Sequence, residues 1–309
     1  MPAHRIILDC DPGRDDALAI ALALAAPAEI ELLGITTVAG NVPLALTQRN
    51  ARLVCELCGR PDVKVYAGAE RPLTRDLVTA EIAHGRTGLD GIAIREPALP
   101  LQDQGAVDYL IETLRASADD GITLVAVGPL TNLALAFDTA PAVLAKVRRI
   151  VIMGGAWRAG GNVTPTAEFN IYVDPEAAAR VFACGRPLVI FGLDVTHQVR
   201  AQAAEADRLV AVGTAAARTF SALLRPPEGR TGDGPDGSGV ALHDPCTIAW
   251  LIAPDLFETE AVRVTVDTED GETLGQTRVD PAGAANAQWV YRADAPAVFD
   301  LLINHIGRL

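Results

Sequence analysis

Four aspartates, Asp9, Asp11, Asp15 and Asp16, fall within eight residues, directly after the apolar run Ile6-Ile7-Leu8 and before the alanine-rich stretch Ala17 to Ala26. The chain must therefore pass from a buried strand through a charged turn into a helix. Crowded carboxylates repel one another, and partial burial makes each ionisation costlier still. Either some of them hold protons or a cation compensates them. Capping and the helix macrodipole account for one or two acids at a helix start, Asp15 and Asp16 here, but not for four. Oxygen ligands without a nearby cysteine or histidine spacing suit Ca²⁺ or Mg²⁺ rather than zinc, and extra ligands from distant segments favour calcium.

Strand and helix patterns alternate along the rest of the chain. Ile30 to Val38, Val63 to Tyr66, Ile122 to Val127, Arg149 to Met153 and Leu188 to Phe191 read as strands. Helices are expected over Pro43–Cys58, Ala106–Ala118, Leu130–Phe137, Pro175–Cys184 and within Ala201–Leu224. Continuous β-branched strands separated by helices imply an α/β fold: one domain over residues 1–309, with a mostly parallel, doubly wound (Rossmann-like) central sheet and peripheral helices. Val262 to Arg292 alternates in polarity and predicts strands at a sheet edge before a terminal helix, Ala295 to Ile306. Ligands of such sheets bind beyond the carboxyl ends of the strands. The segments to watch are thus Asp9–Asp16, Ala39-Gly40-Asn41, Gly128 and Gly154-Gly155.

Acidic residues outnumber basic ones 39 to 26, which speaks against nucleic acid or an anionic membrane as a partner. The apolar stretch Ala17 to Ala26 ends at Pro27, far short of the ~20 residues a membrane span needs. The start of the chain has no signal-peptide pattern, and the five cysteines include no second C-x-x-C beside Cys55 and Cys58. Reduced thiols and a cytoplasmic location are the expectation.

Three further constellations carry polar chemistry. Ala167 to Tyr172 alternates with period two, so an extended backbone would put Glu168 and Asn170 on one face, with Asn162 in the glycine-rich loop just upstream. A carboxylate and two amides facing one way suit the hydroxyls of a sugar. His243-Asp244 follows a glycine-rich stretch that reads as a lid loop over residues 225–242. Asp244 suits a late metal ligand or a helix cap, and His243 suits a general acid near neutral pH. His84 sits in a second glycine-flanked loop, whereas His4, His197 and His305 read as surface or core residues.

A D-x-D after the first strand also opens the Mg²⁺-dependent haloacid-dehalogenase-like phosphatases, where Asp9 would be the nucleophile. Gly13 stands where that pattern needs threonine or valine, and Lys64 and Lys146, the chain's two lysines, lie in poor contexts for it. A non-catalytic binder of nucleosides or ribose is a third reading.

Taken together, Asp9-Cys10-Asp11-Pro12-Gly13-x-Asp15-Asp16-Ala17, Val38-Ala39-Gly40-Asn41, Glu168-Phe169-Asn170 and His243-Asp244 resemble the nucleoside hydrolases, more narrowly the inosine–uridine-preferring (ribonucleoside hydrolase) family. The resemblance implies hydrolysis of a ribonucleoside to ribose and free base. It implies one Ca²⁺ held by Asp11, Asp16, the Val127 carbonyl and Asp244, with Asp11 also the base. Asp15 would bind a ribose hydroxyl with Asn41 nearby, while Asn162, Glu168 and Asn170 hold the 3′ and 5′ hydroxyls and Met153 packs on the sugar. His243 would protonate the leaving base, with His84 as a second imidazole beside it. Relatives of this kind are homodimers or homotetramers. Arg14 departs from the pattern, standing where many relatives carry a histidine or an apolar residue, and no tyrosine occurs between Arg225 and Ala241.

Overall fold

The strand that leads into the acidic turn lies inside a sheet rather than at its edge. In the computed structural model, which describes residues 3–226, 231–232, 237 and 239–309, the strands are β1 (His4–Cys10), β2 (Ile30–Thr37), β3 (Val65–Ala67), β4 (Ile122–Ala126), β5 (Val147–Met153), β6 (Leu188–Phe191), β7 (Arg200–Ala201), β8 (Val240–Ala241), β9 (Phe257–Val266), β10 (Thr277–Asp280) and β11 (Ala287–Ala293). Among the described residues, nine of these form one sheet in the order β3-β2-β1-β4-β5-β6-β11-β9-β10. Every pair from β3 to β11 is parallel; β9 runs antiparallel to both β11 and β10.

Burial on both faces explains the continuous apolar strands. Ile6 and Leu8 point into one core, with the helices Arg14–Ala25, Pro245–Ile252 and Ala295–Ile306 packed there. Ile7 points into the other, with Ala106–Arg115, Thr131–Thr139 and Pro175–Phe182. The helix Arg14–Ala25 is buried on all sides from Arg14 to Leu24, which is why its sequence shows no polar face.

Two expectations change. The segment Val262–Arg292 does form strands, but only β10 lies at the edge; β9 pairs between β10 and β11, and β11 inserts beside β6 and extends the parallel part. The segment after Ala167 is not extended: Phe169–Val173 is a short helix with Glu168 as its N-cap, its carboxylate accepting from the Asn170 and Ile171 backbone N–H groups. A period-two pattern this short also fits a polar cap followed by one helical turn, and capping won. Of the loop expected over residues 225–242, positions 227–230, 233–236 and 238 lie outside the described residues. No helix among the described residues is long and apolar enough to cross a membrane.

Candidate active site

The sheet changes direction of winding between β1 and β4, which are neighbours in space but not in sequence. A crevice opens beyond the carboxyl ends of strands at such a point. It is a cavity of about 610 Å³ lined by Asp15, Asn41, His84, Val127, Met153, Asn162, Glu168, Asn170, His243 and Asp244. That volume lies within the ~300–1,000 Å³ usual for small-molecule sites. Asp11 and Asp16 sit under it, fully buried.

The acidic turn is held by its own backbone. Asp16 reaches back to accept from the N–H groups of Asp11 (3.1 Å) and Gly13 (2.9 Å). Asp11 Oδ2 accepts from the Asn41 N–H at 2.7 Å, and the Asn41 amide donates to the Asp11 carbonyl and to Asp16 Oδ2, both at 3.1 Å. Asn41 thus spends its amide on the acids themselves. Gly40 is required beside them, because a Cβ there would lie 2.1 Å from Asp11 Oδ2.

Carboxylate oxygens of Asp15, Asp16 and Asp244 all lie within 4.8 Å of one another. Asp244 occupies the N-cap position of the helix Pro245–Ile252, yet its side chain makes no capping bond. Asp11 Oδ1 is buried and has no hydrogen-bond partner among the described residues. Burial, reinforced by the charge of the neighbouring aspartates, pushes the carboxyls of Asp11 and Asp244 well above the usual range. Asp16 is likewise pushed up, to about 7, by burial and then by Asp15. Repelling carboxylates, an orphaned carboxylate oxygen and a donor set made only of oxygens fit a hard divalent cation.

The opposite wall comes from the segment after β5. Glu168 is buried and accepts from the backbone of Gly155, Asn170 and Ile171; burial raises its carboxyl to about 7. The Asn170 amide donates to the Val127 and Met153 carbonyls at 3.0 and 3.1 Å. Each of those carbonyls keeps a second lone pair. Asn162 accepts from the Phe169 N–H through Oδ1, leaving its NH₂ for the cavity.

Pairing of β7 with β8 carries residues 240–244 back over the segment after β6. His243 Nδ1 lies 2.8 Å from the Thr196 hydroxyl, and the His197 ring meets the His243 ring edge-on at 5.7 Å. His197 is exposed, as a surface residue was expected to be, and it also lines the cavity. Nothing in its immediate sequence marks it; its position after a strand end was the available signal. His84 Nδ1 accepts from the Arg14 N–H at 3.1 Å and lies 3.9 Å from Asp15.

Asp9 does not line the cavity. Its Oδ1 accepts from Thr36 Oγ1 and from Asn132 Nδ2, beneath the strand ends, and burial raises its carboxyl to about 7. A phospho-aspartyl nucleophile needs an open approach, and Asp9 has none.

Residues 6–300 match the family model described as inosine-uridine preferring nucleoside hydrolase. The chain is 48% identical over 308 residues to the pyrimidine-specific ribonucleoside hydrolase RihA of an Enterobacter species, covering 98% of this chain and 97% of that protein. It is similar to the solved structure of a plant nucleoside hydrolase (TM-score 0.91, 32% identity, 100% of both chains). A purine-preferring ribonucleoside hydrolase from Gardnerella vaginalis is also similar (TM-score 0.89, 32% identity, 98% of both chains). The chain therefore belongs to the inosine–uridine preferring nucleoside hydrolase family, hydrolases of the N-glycosyl bond of ribonucleosides.

Proposed function

We propose that the crevice hydrolyses ribonucleosides with a Ca²⁺ held by Asp11, Asp16, the Val127 carbonyl and Asp244. The observation that carries this is the buried Asp11 oxygen left without a donor beside converging carboxylates. Bound there, the ion supplies Lewis acidity toward water and the sugar hydroxyls. Asp15 takes a ribose hydroxyl. Asn162, Glu168 and Asn170 hold the 3′ and 5′ hydroxyls, with Met153 under the sugar.

As the bond from C1′ to the base nitrogen breaks, positive charge builds on the ribose, and the carboxylates around it stabilise that charge. Asp11 takes a proton from the water whose oxygen bonds to C1′. His243 gives a proton to the departing nitrogen, with His84 as a second imidazole near the base; acid help of this kind is typically worth ~10²–10⁴-fold. We infer a preference for pyrimidine ribonucleosides from the 48% identity to a relative named for that specificity. A cytoplasmic homodimer or homotetramer acting in nucleoside salvage completes the reading, and sedimentation of the purified chain tests the assembly.

The direct test is release of reducing sugar from uridine, cytidine, inosine and adenosine, with calcium and with a chelator. Calcium-dependent ribose release is expected. Calorimetric binding of nucleosides with no sugar released would establish a binder instead, and phosphate release from sugar phosphates would establish a phosphatase.

A further inference from the structure

Arg14 is a buried arginine at the first position of the helix Arg14–Ala25, next to Asp15 and Asp16. Its guanidinium is used on backbone carbonyls from two distant segments. Nη1 donates to the Asp90 carbonyl at 2.9 Å. Nη2 donates to the carbonyls of Ala222 (3.3 Å), Leu223 (3.2 Å) and Arg225. Residues Ala222–Leu224 are a 3₁₀ turn that ends the helix Ala215–Ser221, so these carbonyls lie at a helix C-terminus, where the last turn runs out of intrahelical donors. A fixed cation there satisfies the carbonyls and the negative end of the helix dipole together.

The Arg14 backbone works in the same place. Its N–H donates to His84 Nδ1, so the neutral ring carries its proton on Nε2. The ring sits this close because residue 13 is glycine; a Cβ there would lie 2.4 Å from His84 Nδ1. One residue thereby fixes both walls of the cavity mouth: Ile82 and His84 on one side, Leu223 and Pro226 on the other. Glu168 and Asn170, at the sugar end, are positioned by other elements.

We propose that Arg14 is a positioning residue that sets the width of the base-binding end of the pocket by clamping the 84–90 loop to the 222–225 turn. This rests on the reading of the crevice as a nucleoside site. Glu168 and Asn170 do not depend on the guanidinium, and the backbone that carries Asp15 stays in place without it, so losing the clamp separates the two halves of the substrate. Lysine, a single ammonium without the planar fork, cannot reproduce the spread of bonds.

The experiment compares wild type with Arg14→Ala and Arg14→Lys by nucleoside kinetics, inhibition by free ribose and amide hydrogen exchange. For Arg14→Ala, KM for uridine and inosine rises about tenfold or more with kcat less affected. Inhibition by ribose is unchanged, and amides in 88–91 and in 222–225 exchange faster together, while the bond from the residue-14 N–H to His84 is kept. Arg14→Lys falls between, and it carries the same test if the alanine variant does not fold. The clamp is overturned if exchange changes in neither segment or in only one. It is overturned equally if nucleoside KM and ribose inhibition weaken by the same factor, the mark of general damage. Wild type that releases no ribose from any nucleoside defeats the functional reading, and the exchange pattern then decides the clamp by itself.

Discussion

The hydroxyl of Thr196 lies 2.8 Å from Nδ1 of His243, in a fully buried position at the end of a short helix after β6. The bond fixes the plane of the imidazole; in the ring that acts as an acid both nitrogens carry a proton, so Nδ1–H donates to the hydroxyl oxygen and Nε2–H is left for the departing base. Thr196→Val keeps the shape and removes the bond. A loss of up to ~10-fold in kcat/KM for uridine is expected, the scale of one hydrogen bond. With p-nitrophenyl riboside, whose leaving group needs no proton, the loss should vanish; equal losses on both substrates would deny Thr196 this role.

His243→Ala removes the proposed acid itself. Its expected cost is ~10²–10⁴-fold on natural nucleosides and far less on the activated riboside. A uniform loss across leaving groups would mean that the ring shapes the pocket without donating a proton.

Asp11→Asn is nearly isosteric and leaves the Asn41 N–H an oxygen to bond. It should abolish detectable ribose release while weakening calcium binding, measured by calorimetry. Turnover at the wild-type rate would remove Asp11 from the base role.

Metal-free stability should depend on pH with a definite sign. Burial holds Asp9, Asp16 and Glu168 near 7, above their ordinary values near 4. Between about pH 4 and 7 the folded chain therefore keeps protons that the unfolded chain has lost, and stability falls as pH rises through that window. Calcium binds the ionised form and should counter the fall, by ~2.7 kcal/mol at a hundredfold excess over its Kd. Thermal unfolding with chelator and with calcium, from acid to neutral pH, checks both statements. A chelated protein whose Tm is flat or rises over that range contradicts them.

Glu168→Gln brings an NH₂ into a nest where three backbone N–H groups converge. One of them loses its acceptor, at a cost of ~1–3 kcal/mol. The unfolding midpoint in urea should fall, and KM should rise because Asn170 shifts with its helix. An unchanged midpoint would show that the nest adapts.

What the sequence disclosed and what it hid follow from the range of the forces involved. The acidic turn between Leu8 and Ala17, the strand Leu188–Phe191 and the helix Ala295–Ile306 are set by neighbours within a few residues, and they were legible. The conformation after Ala167 was misread because six alternating residues fit a strand or a capped turn equally well, and the choice is made by Gly155, whose N–H meets Glu168 across a loop. Thr196 and His197 carried no local sign, since they meet His243 only through the β7–β8 pairing. Arg14 was visible as a departure, but its four carbonyl partners lie far along the chain.

The order of the strands has a consequence for how the enzyme comes into being. One side of the acidic cradle directly follows the first strand and the other lies next to β8, so the ribosome releases the opening acids long before their counterpart at Asp244 exists. Until then the young polypeptide carries a patch of like charges with nothing to draw them together. A product broken off anywhere ahead of β8 has no way to finish the cradle, however well its earlier strands have paired.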